Sequence, residues 1–151
     1  MPTTFSSGPE LAAAAGRHLG FSDWLEITQD RIDEFARATG DFQWIHVDPA
    51  RAAAGPYGAT IAHGYLTMSL TNMLRPSLIE VPTASAGINY GVNKVRFLSP
   101  VRVGSRVRLG SEILEVTEVP GGVQVICRDT MELEGSEKPA CVVESISRWL
   151  F

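Results

Sequence analysis

Only two cysteines, Cys127 and Cys141, occur in 151 residues, each in an apolar stretch and neither in a Cys-x-x-Cys pair. This predicts small buried hydrophobes rather than a disulfide framework or a zinc ligand set. Charge of one sign is not concentrated either. The 13 basic and 17 acidic residues are scattered to a net −4, with no Lys/Arg run able to neutralise a phosphate backbone, so nucleic acid is not an expected partner. Histidine occurs three times, at 18, 46 and 63, with no metal-ligand spacing, and no metal is expected. Gly55 and Gly58 precede a helical pattern but lack the G-x-G-x-x-G or G-K-[ST] spacing that cradles a nucleotide. No serine sits in a G-x-S-x-G elbow and neither cysteine has an evident base, which leaves covalent acyl transfer without support.

Long apolar runs are scarce as well. Residues 52–74 contain no Asp, Glu, Lys or Arg, close to the roughly 20 residues a membrane span needs. Gly55, Pro56, Gly58, His63, Gly64 and Asn72 interrupt the run, so a buried segment is expected and no membrane partner. The N-terminal MPTTFSSGPELAAAAG has neither a basic start nor a strong apolar core, and no Asn-x-Ser/Thr sequon occurs. A cytoplasmic location is the resulting expectation.

What is present is a 44% hydrophobic chain, enough for a core within a single domain spanning 1–151. No internal repeat or low-complexity tract divides it. Up to about Arg75 the pattern is helical and loop-rich. From Ala84 it reads as strands near 86–98, 101–118, 122–134 and 139–150, with Gly121-Gly122 as a hairpin turn. A short strand around Trp24 to Ile27 can be added. Thr28 caps a helix whose apolar face is Ile32, Phe35, Ala36 and Thr39, and Gly40 stops it. Asp48 and Pro49 start a second helix. Leu66, Leu70, Met73 and Leu74 share one face of a third, which ends at Pro76 and is expected to be buried nearly all round. A buried helix followed by a long antiparallel meander makes the fold class α+β.

The most informative stretch is GDFQWIHVDP, followed by IAHGYL. It resembles the signature of the MaoC-like dehydratases, in which Gly-Asp-x-Asn-Pro-(Ile/Leu)-His-x-Asp precedes a helix opened by His-Gly. Gly40, Asp41, Ile45, His46, Asp48, His63 and Gly64 match in identity and spacing, and GDxQWIHVDP with the later NYGVNKVRF is similar to the NodN-type branch. The resemblance implies a hotdog fold, an antiparallel sheet wrapped around a central helix. It also implies a homodimer, a cofactor-free hydro-lyase, and an acyl-CoA or acyl-carrier thioester substrate. The implied reaction is that of an (R)-specific enoyl-CoA hydratase, the reversible syn addition of water to a trans-2-enoyl thioester giving the (R)-3-hydroxyacyl product.

Asp41 and His46 carry the chemistry that this requires. A carboxylate can accept a proton from water, and an imidazole can hold that water or return a proton near neutral pH. They stand five positions apart across a loop after a helix stop, so both can turn toward one point. The Gly64 N–H, at the start of a buried helix, suits a developing enolate oxygen. Gln43 stands where the family has Asn and keeps the amide with one more methylene. Trp44 stands where Pro is usual and is expected to pack across the dimer or wall the acyl pocket.

Blander roles compete at each position. Asp41 alone reads as a turn-forming carboxylate, and Asp48 reads as a helix cap. His63 either bonds backbone at the helix start or reaches substrate. His18 is expected at the surface, and Lys94 and Arg96 either meet CoA phosphates or form a solvated strand face. The rival functions are a hotdog thioesterase and a non-catalytic hotdog subunit of a heteromeric dehydratase. Trp44, Tyr57, Met68 and Met73 are candidates for shaping the acyl tunnel.

Overall fold

A computed structural model describes residues 1–151. Its elements in order are β1 (Thr3–Thr4), α1 (Gly8–Ala13), β2 (His18–Phe21), β3 (Leu25–Glu26), α2 (Gln29–Thr39), α3 (Trp44–Val47), α4 (Pro49–Ala53) and α5 (Gly64–Leu74). A 3-10 turn at Arg75–Ser77 follows, then β4 (Ile79–Glu80), β5 (Ala86–Phe97), β6 (Arg106–Val119), β7 (Gly122–Leu133) and β8 (Cys141–Leu150).

Helix α2 forms where its caps dictate. The Thr28 hydroxyl accepts from Arg31 N–H, and Gly40 closes the helix in the left-handed region at φ 78°. Its inner face buries Ile32 and Ala36. Asp48 caps α4 by accepting from Arg51 N–H at 3.0 Å. Helix α1, which the sequence reading did not separate, has its own signals: Ser7 accepts from Glu10 N–H and a proline occupies the first turn.

Strands pair antiparallel in the order β2-β6-β7-β8-β5, with β3 also on β6, and β1 pairs with β4 in a separate parallel ribbon. The sheet wraps α5, which packs against β6, β7 and β8. Ile27, Ile32, Leu66, Leu70, Val107, Leu109, Met131 and Val143 meet in the layer between helices and sheet. Each such side chain contributes about 1.5–3 kcal/mol by leaving water. A second cluster, including Phe5, Leu11, Ile79, Ile113 and Val125, covers the other end of the sheet with α1. Cys127 and Cys141 are buried free thiols, and burial pushes both up to about 11.

Three expectations need correction. The strand placed at 101–118 begins at Arg106, because Val101 and Val103 use their backbone elsewhere: Ala62 N–H donates to Val101 carbonyl at 2.8 Å and Val103 N–H to Thr60 carbonyl at 2.9 Å. The hairpin residues are Pro120 and Gly121, since Val119 pairs with Gly122, and Gly121 takes φ 81°. Helix α5 is not buried all round. The sheet covers the stripe Leu66, Thr67, Leu70 and Thr71, so Met73 falls off its edge and is 53% exposed, as Tyr65 is at 67%. The buried threonine hydroxyl at 71 is satisfied by donating to the Met68 carbonyl at 2.8 Å.

Candidate active site

The segment after α2 is folded back on itself. Asp41 accepts the Gln43 N–H on Oδ1 at 3.3 Å, an Asx turn that frees the other carboxylate oxygen. His46 N–H then donates to Gln43 carbonyl at 3.0 Å, and the single-turn helix α3 sets the His46 ring inward, where it is 6% exposed. Thr60 to His63 run alongside, held by Ile61 N–H donating to Ile45 carbonyl at 3.0 Å and by the Ala62 bond to Val101. Two distant pieces of chain thus close on one point.

The His46 ring is pinned by this arrangement. Its Nδ1 lies 2.6 Å from the Ile61 carbonyl. A carbonyl only accepts, so Nδ1 carries the hydrogen and neutral His46 presents a bare Nε2 lone pair. Burial, the largest influence, pushes His46 below its ordinary 6.5, with the nearby His63 adding to the fall and the Ile61 bond and Asp41 charge pulling back. His63, 3% exposed, bonds through Nε2 to the Asp41 carbonyl at 3.0 Å, leaving its buried Nδ1 without a partner. That same Nε2 stands 4.0 Å from Asp41 Oδ2. His63 therefore bonds backbone, though at Asp41 in the turn after α2 rather than at the start of α5, and the ring also faces the cavity.

A cavity of about 460 Å³ is lined by Phe35, Thr39, Asp41, His46, His63, Gly64, Tyr65 and Phe97. A second of about 250 Å³, which includes Tyr57 and Thr67, shares Gly64 and Phe97 with it. Gly64 opens α5, so its N–H has no carbonyl one turn back within the helix and stands at the positive end of the helix dipole. A side chain there would meet the Phe97 ring at 3.1 Å, which is why glycine fits between helix and ring.

Four of the five candidate residues, Asp41, His46, His63 and Gly64, line one cavity. Gln43 does not. It is exposed, and its backbone rather than its amide serves the turn. Trp44 is also outside: it lies against Gly55 and under the Arg51 guanidinium, 4.4 Å from the ring centre. Of the other tunnel candidates, Tyr57 reaches the adjoining cavity, Met68 faces a separate cleft between α5 and β5, and Met73 lies beside Arg31 near the surface. His18 is exposed, as expected, and accepts from Gly20 N–H.

The wide sequence spacing of the histidines gives no sign that the fold brings two of them together with Asp41. Asp41, His46 and His63 bring their polar atoms within 4.8 Å of one another, a grouping of metal-ligating types. Both rings, however, commit one nitrogen to a backbone carbonyl, and in His63 it is the nitrogen nearest the Asp41 carboxylate. An ion shared by all three through that nitrogen would have to break the His63 bond. As the hydrogen bonds stand, His46 keeps Nε2 and Asp41 keeps Oδ2 free of protein hydrogen-bond partners within the cavity lining.

The sheet order, the central helix and a site at that helix's N-terminus define a hotdog-fold protein. The similarity to R-hydratase PhaJ1 from Pseudomonas aeruginosa fits this fold, with a TM-score of 0.74 at 23% identity covering 90% of this chain and 81% of that one. The family model described as MaoC like domain matches residues 10–133, and the chain belongs to that family, in its NodN-type branch. It is 55% identical over 148 residues to 3-hydroxyacyl-thioester dehydratase Z of Mycobacterium tuberculosis strain H37Rv, covering 97% of this chain and 98% of the relative. It is 40% identical over 142 residues to nodulation protein N of Rhizobium leguminosarum bv. viciae, covering 91% and 88%. No helix is long and apolar enough to cross a membrane.

Proposed function

We propose that this hydro-lyase is an (R)-specific enoyl-CoA hydratase, adding water reversibly to a trans-2-enoyl thioester of CoA or of an acyl carrier. The observation that carries the reading is the joint presence, in one cavity, of the Asp41 carboxylate, the Nδ1-tethered His46 and the Gly64 N–H. A water held between Asp41 and His46 Nε2 attacks C3 as one of its protons passes to that pair. The electron pair of the double bond moves through C2 onto the thioester oxygen, where the Gly64 N–H and the α5 dipole receive the charge. The pair then returns one proton to C2 on the same face, which makes the addition syn and leaves both residues as they began.

The working unit of this reading is a homodimer. Strand β5 is the last in the sheet order, so one edge is unpaired, and Ile88, Tyr90 and Val92 are exposed along it at 45%, 57% and 49%. An edge of this kind is self-complementary about a twofold axis and hazardous if left bare.

The test is hydration of crotonyl-CoA, followed by loss of enoyl absorbance, with chiral analysis of the product. Asp41→Asn and His46→Gln are each expected to lower kcat by about 10²–10⁴-fold while leaving the fold intact. Unchanged activity in both would remove the assignment, and release of free thiol without hydration would transfer it to a thioesterase. Activity is also expected to survive dialysis against EDTA. Loss restored by a divalent ion would move the chemistry to a metal held by Asp41, His46 and His63.

A further inference from the structure

Gln29, the first residue of α2, makes bonds that the sequence gives no hint of. Its Nε2 donates to the His46 carbonyl at 2.8 Å and to Asp33 Oδ1 at 2.9 Å. Its Oε1 accepts from the Thr60 hydroxyl at 2.5 Å. Thr60 is 1% exposed and directly precedes Ile61, whose carbonyl accepts the His46 Nδ1 hydrogen at 2.6 Å.

One amide therefore bridges the two pieces of chain that meet at the His46 ring: the backbone that carries the imidazole and the backbone that fixes its tautomer. An amide is the group that can do this, because it donates on one side and accepts on the other. We propose that Gln29 is a positioning residue of the site, acting with Thr60 to hold the Ile61 carbonyl against His46 Nδ1 and so keep the Nε2 lone pair facing the cavity. Its effect passes through His46; Gln29 is absent from the cavity lining. Leucine at 29 fills similar space but leaves the His46 carbonyl and the buried Thr60 hydroxyl without partners, so the Ile61 carbonyl loses its register on the ring. Displacements of about 1 Å in a reacting group are enough to cost on the order of 100-fold in rate.

The activity arm of the test rests on the hydratase reading; the spectroscopic arm does not. In 15N-histidine NMR near pH 8, wild-type His46 is expected as the Nδ1–H tautomer, with Gln29→Leu and Thr60→Val showing a mixture and Thr60→Ser the wild-type pattern. In crotonyl-CoA hydration, Gln29→Leu and Thr60→Val are expected to lose roughly 10-fold to 100-fold in kcat with KM nearly unmoved, and Thr60→Ser to recover it. A merely structural role would lower thermal stability without changing the tautomer. If Gln29→Leu does not fold, the comparison of Thr60→Val with Thr60→Ser decides. A single Nδ1–H tautomer in folded Gln29→Leu and Thr60→Val, or unchanged kcat in both, overturns the proposal. A wild-type protein inactive in hydration would defeat the hydratase reading while the tautomer still decides the role of Gln29.

Discussion

The His46 and His63 rings stack with centroids 3.9 Å apart and planes inclined by 24°, although 17 positions separate them in the chain. Two imidazoles this close and this buried disfavour a second positive charge, and His46 is already lowered by desolvation.

The first prediction concerns that lowered value. Since the folded protein holds His46 below 6.5, protons favour the unfolded chain. The stability from neutral His46 is fully present above pH 6.5 and is lost as the pH falls from there through the lowered folded value. Histidine NMR titration is expected to place the His46 midpoint below 6.5, and the acid limb of kcat/KM to follow it. Asp41→Asn is expected to lower the midpoint further, and His63→Gln to raise it, because the two neighbours act with opposite sign. A midpoint at or above 6.5 in the wild type would contradict the buried geometry.

The second concerns the approach of Phe97 to Gly64. A Cβ at position 64 would lie 3.1 Å from the Phe97 ring, so Gly64→Ala has to displace an aromatic wall shared by both cavities. Steady-state hydration is expected to show kcat/KM lower by about 10-fold or more, with partial recovery in Gly64→Ala/Phe97→Leu. Recovery separates steric crowding from loss of the backbone donor, which the alanine retains. No change in the single variant would mean that the ring yields freely.

How much of this could be read beforehand depends on how local each cause is. The bounds of α2 follow from Thr28 and Gly40, and the start of α4 from Asp48, because caps act within one turn. Asp41, in the turn after α2, and His46, on the single-turn α3, fall within one short motif. The His46–His63 stack, by contrast, depends on long-range bonds such as that from Ile61 to Ile45, and Gln29 is an ordinary polar residue until the fold sets it under the His46 carbonyl. For the same reason the motif does not reveal that the Gln43 and Trp44 side chains lie outside this cavity of the single chain. Both are neighbours of the motif in sequence, but the Asx turn and α3 direct them away from the cavity that the flanking residues line.

The third prediction tests a polar group that no motif announced. Asp129 on β7 is 0% exposed and accepts from Ser111, Ser145 and Arg75, the Arg75 contact being 2.5 Å. Arg75, just after α5, thereby ties the far end of that helix to β7 and, through Ser147, to β8. Removing one partner of a buried ion pair strands the other, at a cost of about 3–5 kcal/mol. Asp129→Ala is expected to lose that much in chemical denaturation, and Arg75→Met/Asp129→Leu distinctly less than the two single changes added together. Additive losses would show that the two groups are not coupled.

The last concerns the bare edge of β5. Every residue of that strand except Val95 is exposed in the single chain, and its outer backbone groups have no strand beside them. Lysine on such an edge opposes pairing, because two like charges would face each other across the twofold axis of the proposed homodimer while their apolar neighbours stay wet. Ile88→Lys/Val92→Lys is therefore expected to shift light scattering from dimer toward monomer. Activity should fall with dimer content, since Phe97 at the end of β5 and Tyr65 on the uncovered side of α5 both wall the cavity. Raising the protein concentration should restore dimer and activity together. A variant that stays dimeric places the subunit contact on another face, and a fully active monomer makes the cavity complete within one chain.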